Sequence, residues 1–112
     1  MKIEFGISTS PQATTYSALR DVWQAADETD VFTSGWVNDH FAAFVGPPWK
    51  PDLDQGSADG WTVLGALLHE TNRLRGGVLV TGVHFRSAAK LAHMIATLDW
   101  STGGRVDVGR IA

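Results

Sequence analysis

Gly35-Trp36-Val37-Asn38-Asp39-His40-Phe41 passes from a glycine and an apolar pair into three consecutive polar side chains. It reads as a strand that runs out into a polar loop. In an α/β protein the carboxyl ends of the strands are where ligands bind. Asn38, Asp39 and His40 would place donors, acceptors and a carboxylate at such an end. Asp39 beside His40 can hold the imidazole in one tautomer and raise its basicity, so His40 is a candidate acid/base. Such a pair also often does no more than finish a strand, and the seven residues by themselves leave both readings open.

Working outward, Phe32 to Val37 forms the strand itself. Before it, Thr14 or Thr15 can cap a helix whose apolar side is Tyr16, Leu19, Val22, Trp23 and Ala26, ending near Thr29. Earlier still, Ile3 to Ile7 alternates apolar and polar and is predicted as the first strand, with Ser8-Thr9-Ser10-Pro11 as a turn. On the other side, Ala42 to Ala58 carries Gly46-Pro47-Pro48, Pro51 and Gly56 and shows no element pattern. It is expected to be a functional or mobile loop. Asp59 then caps a helix with Trp61, Leu64, Leu67 and Leu68 on one side. Gly76 to Val80 is a continuous apolar strand of the kind buried on both faces. Ser87 caps a third helix with Ala88, Leu91, Ala92, Ile95 and Leu98 inward, Gly103-Gly104 breaks it, and Arg105 to Val108 begins a fourth strand.

The order β-α-β-α-β-α-β has connections of helical length, so the four strands should be parallel with right-handed crossovers. That pattern fits a small doubly wound sheet or half of an eight-stranded barrel, which needs about 250 residues, and does not choose between them. At 112 residues, with 44% apolar and 19% charged positions, the chain is one folded domain. A net charge of −3 gives no electrostatic reason to expect nucleic acid or an anionic membrane as partner. There is no cysteine, so disulfides and thiolate metal sites are excluded. No apolar run approaches the roughly 20 residues of a membrane span, and a soluble, cytoplasmic protein is expected. The four histidines show no zinc spacing, and His69 and His93 read as surface or packed residues. Gly76-Gly77 and Gly103-Gly104 read as turn glycines. Arg73, Arg75, Arg105 and Arg110 read as solvated charges or charges at the bottom of a barrel. Five tryptophans suggest a large buried surface or an interface.

Several segments together resemble the start of a luciferase-like monooxygenase domain. They are Ala25 to Phe32, Ser34-Gly35-Trp36, Asp39-His40-Phe41, Gly60-Trp61-Thr62, Thr71 to Arg75, Gly77 to Gly82 and Ser101 to Arg105. They occur in the right order over nearly the whole chain, and the branch they most resemble uses coenzyme F420 or a flavin. The resemblance implies a TIM barrel of which this chain forms the first half, strands one to four. It implies that His40, with Asp39 beside it, lies near the reactive ring of F420 or FMN and assists proton transfer, as suits a neutral-pH acid/base. It also implies that Val80, Thr81 and Gly82 border that ring, within a Val78 to Gly82 segment where many members carry a non-prolyl cis peptide and a bulge.

The departures from the family pattern shape the expected function. Members commonly follow strand four with a glycine-rich turn and an acidic residue, whereas this sequence reads Gly109-Arg110-Ile111-Ala112 there. Ser87-Ala88-Ala89 lacks the proline often found at that helix start. The later strands that supply most phosphate contacts have no counterpart, so a complete one-chain site is not expected. Two functions follow: an oxidoreductase of this type that is inactive as a lone chain, or a non-catalytic half-barrel scaffold that self-associates. Either way a homo-oligomer is expected, a dimer in which each first strand pairs with the other copy's fourth. Phe5, Ile7, Trp36 and Val78 would otherwise face water.

Overall fold

The structure is a computed structural model and describes residues 1–110. Ile111 and Ala112, part of the stretch where the family turn was sought, lie outside the described residues, as does the Arg110 side chain. The elements run β1 (Phe5–Thr9), α1 (Tyr16–Asp27), β2 (Phe32–Val37), β3 (Ala43–Val45), β4 (Lys50–Asp52), α2 (Gly60–His69), β5 (Arg75–Thr81), α3 (Ala88–Ser101) and β6 (Val106–Arg110). Each helix starts on an extended residue whose side chain accepts a hydrogen bond from a first-turn N–H: Thr15 from Ala18, Asp59 from Thr62, Ser87 from Lys90.

The main sheet has the order β1-β2-β5-β6, and all three pairings are parallel. Its helix-facing side carries Val37, Val78 and Val106, packed in one cluster with Leu19 and Trp23 of α1 and Leu64, Leu67 and Leu68 of α2. The approach is close. A Cβ on Gly35 would stand 2.6 Å from the Trp23 ring, so only glycine lets α1 settle there.

Several expectations need correction. The first strand lies at Phe5–Thr9 rather than Ile3 to Ile7, because Gly6 to Thr9 find partners along Ser34 to Val37 of β2. Ala42 to Ala58 is not structureless. It holds the antiparallel pair β3–β4, in which Phe44 faces Pro51, and Ser57 forms a bridge to Gln12. Gly76 and Gly77 are not turn glycines but lie inside β5, against Leu68 and Trp36 respectively. Gly103 and Gly104 do occupy positive φ in the turn after α3.

Nor is β5 buried on both faces: Val78 is 0% exposed but Leu79 is 52% exposed, because helices cover only one side. Val78 therefore does not face water. Ile7 packs partly against the core, and Phe5 is exposed as anticipated. On α3, Leu91, Ile95 and Leu98 turn partly inward together with Met94, while Ala88 and Ala92 are exposed. That helix lies over β6, the edge of the sheet, and has core on one side only.

The face away from the helices carries Trp36. Its indole reaches across neighbouring strands: Cβ atoms on Gly6, Gly77 and Gly109 would stand 3.3, 2.5 and 3.6 Å from its ring. Its Nε1–H is donated to Ser34 Oγ at 3.1 Å.

At the amino ends of the strands, arginines close the structure. Arg73 donates to the carbonyls of Ala26, Asp27 and Thr29. Arg105 donates to those of Leu68, Thr71, Leu74 and Thr102. These are carbonyls that helix ends leave without intrahelical partners, or neighbours of them. Arg75 pairs with Asp107 at 2.6 Å.

Candidate functional site

β2 stops pairing at Val37, so Asn38, Asp39 and His40 leave the sheet at its carboxyl end with no ladder to hold them. Side chains hold them instead. Asp39 is 2% exposed. Its carboxylate accepts from Arg86 Nη1 at 2.5 Å and Nη2 at 3.0 Å, from the Thr81 hydroxyl at 2.7 Å and from the Gly60 N–H at 3.2 Å. The Thr81 oxygen in turn accepts from Trp61 Nε1 at 3.1 Å. Arg86 also bonds Asp59, the cap of α2. One guanidinium thereby joins the ends of β2 and β5 and the start of α2.

Burial alone would raise the Asp39 carboxyl. Hydrogen bonds from Arg86 and Thr81, with the guanidinium charge, outweigh it and hold the group below the ordinary carboxylate range. Asp59 shows the same balance, burial against bonds from Thr62 and Arg86. Bidentate bonding to Asp39 raises Arg86 in turn. Asp39 is thus a structural hub held in its charged form.

His40 is not its partner. All four donors on Asp39 come from elsewhere, and the imidazole lies tilted against Phe44 with ring centroids 4.9 Å apart. Its Nδ1 is buried without a hydrogen-bond partner. A buried polar atom left unpaired is rare enough to need an explanation. Asn38 shows the same feature: its amide nitrogen donates to Ser10 Oγ at 2.6 Å, while its Oδ1 is buried and unpaired.

The other sequence candidates lie at the end of β5. Pairing with β6 runs through Gly76, Gly77 and Val78 and resumes only at Thr81, so Leu79 and Val80 drop out of the ladder. The Leu79–Val80 peptide is cis, within the segment where one was implied. Thr81 is buried and bonded to Asp39, and Gly82 lies under Phe85, whose ring would be 3.2 Å from a Cβ there. His69, on α2, places Nδ1 2.6 Å from the Gly65 carbonyl one turn back. His93 bears no such bond and is exposed on α3.

A model of the luciferase-like monooxygenase family matches residues 1–111. The chain belongs to that family. No curated protein matches it. Among solved structures, this luciferase-like chain is similar to the coenzyme F420-dependent tetrahydromethanopterin reductase of Methanopyrus kandleri, with 24% identity and a TM-score of 0.78. The match covers 98% of this chain and 27% of that one. An F420-dependent secondary alcohol dehydrogenase, in complex with an F420-acetone adduct, is 26% identical with a TM-score of 0.80, over 98% of this chain and 32% of that one. The oxygenating constituent of 3,6-diketocamphane monooxygenase from Pseudomonas putida, in complex with FMN, is 18% identical with a TM-score of 0.73, over 100% and 30% of the two chains. The luciferase-like chain thus spans 27–32% of the length of these structures. No helix among the described residues is long and apolar enough to cross a membrane.

Sequence reasoning missed Arg86. It stands between Phe85 and Ser87 in a short loop, and its partner Asp39 is 47 positions away. The one local signal was a charged residue directly before a helix cap, at a βα junction.

Proposed function

We propose that this luciferase-like chain supplies one wall of a flavin- or F420-dependent oxidoreductase site, with His40 as the residue that holds or moves a proton. The observation that carries the reading is the buried, unpaired Nδ1 of His40 at a strand's carboxyl end. The residues present fit such a cofactor. Leu79 and Val80 leave the β5–β6 ladder, which frees backbone groups to meet a planar polar ring. Gly77 and Gly109 add no side chain to the adjoining sheet face, where Trp36 and Leu79 lie beside them. When bound, F420 or FMN supplies the hydride or electron chemistry.

The chain's own residues do the rest. Val80, Thr81 and Gly82 border the ring through their backbone, since the Thr81 hydroxyl is already committed to Asp39 and Trp61. His40 exchanges a proton with the substrate, as an imidazole ring nitrogen can accept or donate one. Asp39 does not contact the cofactor in this reading and instead fixes the segment that carries His40. Affinity for the isolated chain should be weak. Titrating the protein with FMN and with F420, and following cofactor fluorescence, tests this. Weak saturable binding that His40→Ala reduces is expected. Tight binding, or none, or binding indifferent to His40→Ala, would count against it.

A second reading rests on the sheet edges. The outer edges of β1 and β6 pair with nothing among the described residues, and Phe5 and Val108 are exposed beside them. Unpaired edges of this kind recruit other strands. A homodimer setting each β1 beside the partner's β6 would form an eight-stranded barrel, whether catalytic or a scaffold without turnover. Sedimentation showing a 12.1 kDa species with a cooperative melt at micromolar concentration would overturn the dimer. A colourless dimer that binds neither cofactor would favour the scaffold.

A further inference from the structure

The loop between β5 and α3 touches the His40 segment at two points. Asp39, one residue before His40, takes the bidentate ion pair from Arg86. Phe41, one residue after it, stacks on Phe85, with ring centroids 4.2 Å apart and planes 32° apart. The two consecutive residues Phe85 and Arg86 therefore grip the two residues that flank His40. We infer that Phe85 and Arg86 form a clamp that positions His40, an inference that rests on reading His40 as the proton-handling residue.

The argument is one of constraint. Between Val37 and Ala43 the chain has no ladder bonds, so the orientation of His40 depends on whatever fixes the residues on either side. Its own ring gives little: a tilted contact with Phe44 and no hydrogen bond at Nδ1. Of the four bonds into Asp39, two come from Arg86, and Arg86 is itself fixed by a further bond to Asp59. A planar guanidinium bound at both nitrogens fixes direction as well as distance. The aromatic end is held from below, since Gly82 leaves the space that the Phe85 ring fills. The same loop directly follows Val80 and Thr81. The clamp thus sets His40 against the β5 bulge as one unit, and a group with its supporting contacts removed loses the precision that proton transfer needs.

Lysine at position 86 keeps the charge but has a single ammonium that cannot form the fork. Leucine at position 85 keeps the apolar volume and removes the stack, at an end where Phe41 is 71% exposed. The test is a comparison of histidine ring NMR signals in wild type, Arg86→Lys and Phe85→Leu, each held well below its melting temperature. The expected result is a displaced or broadened His40 signal in both variants, with the His69 and His93 signals unmoved. His84, whose ring meets Phe85 edge-on at 4.7 Å, should move in Phe85→Leu only. If Arg86→Lys fails to fold, Phe85→Leu alone decides. Folded variants whose His40 signals superimpose on wild type, with only the melting temperature lowered, would overturn the clamp. Should the wild-type protein bind neither FMN nor F420 while His40 still moves as expected, the proposed function falls and the clamp stands.

Discussion

At the amino ends of the strands, Asp27 accepts from the backbone N–H groups of Asn72, Arg73 and Leu74, while Arg73 and Arg105 donate into carbonyls around the ends of α1, α2 and α3. At the carboxyl ends, Asp39, Thr81, Trp61 and Arg86 form a comparable network, yet polar atoms are left over around it. The buried unpaired side-chain atoms among the described residues are Asn38 Oδ1, His40 Nδ1 and Ser57 Oγ, and all three belong to the end of β2 or the loop after it. One end is closed by the chain's own groups. The other leaves acceptors and donors without partners in the chain itself.

The difference can be broken most forcefully at its charged centre. Asp39→Ala leaves Arg86 without its buried partner and should lower stability by about 3–5 kcal/mol. Asp27→Ala removes three backbone bonds in a wetter place and should cost about 1–3 kcal/mol. Urea unfolding of the two variants checks the order, and equal losses would erase the distinction between the ends.

Acid titration sharpens it next. Asp27, Asp39 and Asp59 all have folded pKa values below the ordinary carboxylate range. In each, burial raises the value and hydrogen bonds with nearby arginine charge more than reverse it. A depressed carboxylate contributes stability that is fully present above its unfolded pKa of about 3.9, and that contribution is lost as pH falls through the lower folded value. Arg86→Met removes the leading cause of the depression at Asp39 and a lesser one at Asp59, where the Thr62 bonds remain, so its acid unfolding, followed by circular dichroism, should move to higher pH. Arg73→Met acts only as the last of several influences on Asp27 and should move it less.

The smallest effect belongs to the loop. The Gln12 side chain mimics a strand, donating to the Phe44 carbonyl at 3.0 Å and accepting from its N–H at 3.2 Å. Gln12→Ala should cost only about 0.5–1.5 kcal/mol. It should speed amide exchange at Phe44 while leaving Val78 in β5 unchanged.

These cases also show what could be read from the sequence. Thr15, Asp59 and Ser87 announce their helices because a cap acts on a neighbour three residues away. The four parallel strands followed from apolar runs separated by helical lengths. The β3–β4 pair did not, since Gly46-Pro47-Pro48 and Pro51 erase alternation and Gln12, 32 positions distant, supplies part of its support. Asp39 and His40 stand out in the sequence, but the hydrogen bond that their adjacency suggests is not made, since Asp39 is bonded by Gly60, Thr81 and Arg86. Consecutive side chains on an extended segment point to opposite sides, so adjacency in sequence argues against a mutual hydrogen bond there. The true partner, Arg86, lies 47 positions away, and its one local signal is a charge directly before the cap of α3.

Trp36 ties the drift of distant positions together. Its ring lies over Gly6, Gly77 and Gly109, which belong to three different strands, and an added methyl on Gly77 would stand 2.5 Å from the indole and from the Asp107 carbonyl alike. The obstacles differ from strand to strand. At Gly6 the nearest is the Ser34 hydroxyl at 2.5 Å, so Gly6→Ala should show positive epistasis with Ser34→Ala. At Gly77 a smaller residue at position 36 removes only the indole, the Asp107 carbonyl stays in the way, and pairing with Trp36→Leu should rescue little. Of the three strand glycines, the one in β5 is then the slowest to change in any lineage, whatever happens to the tryptophan.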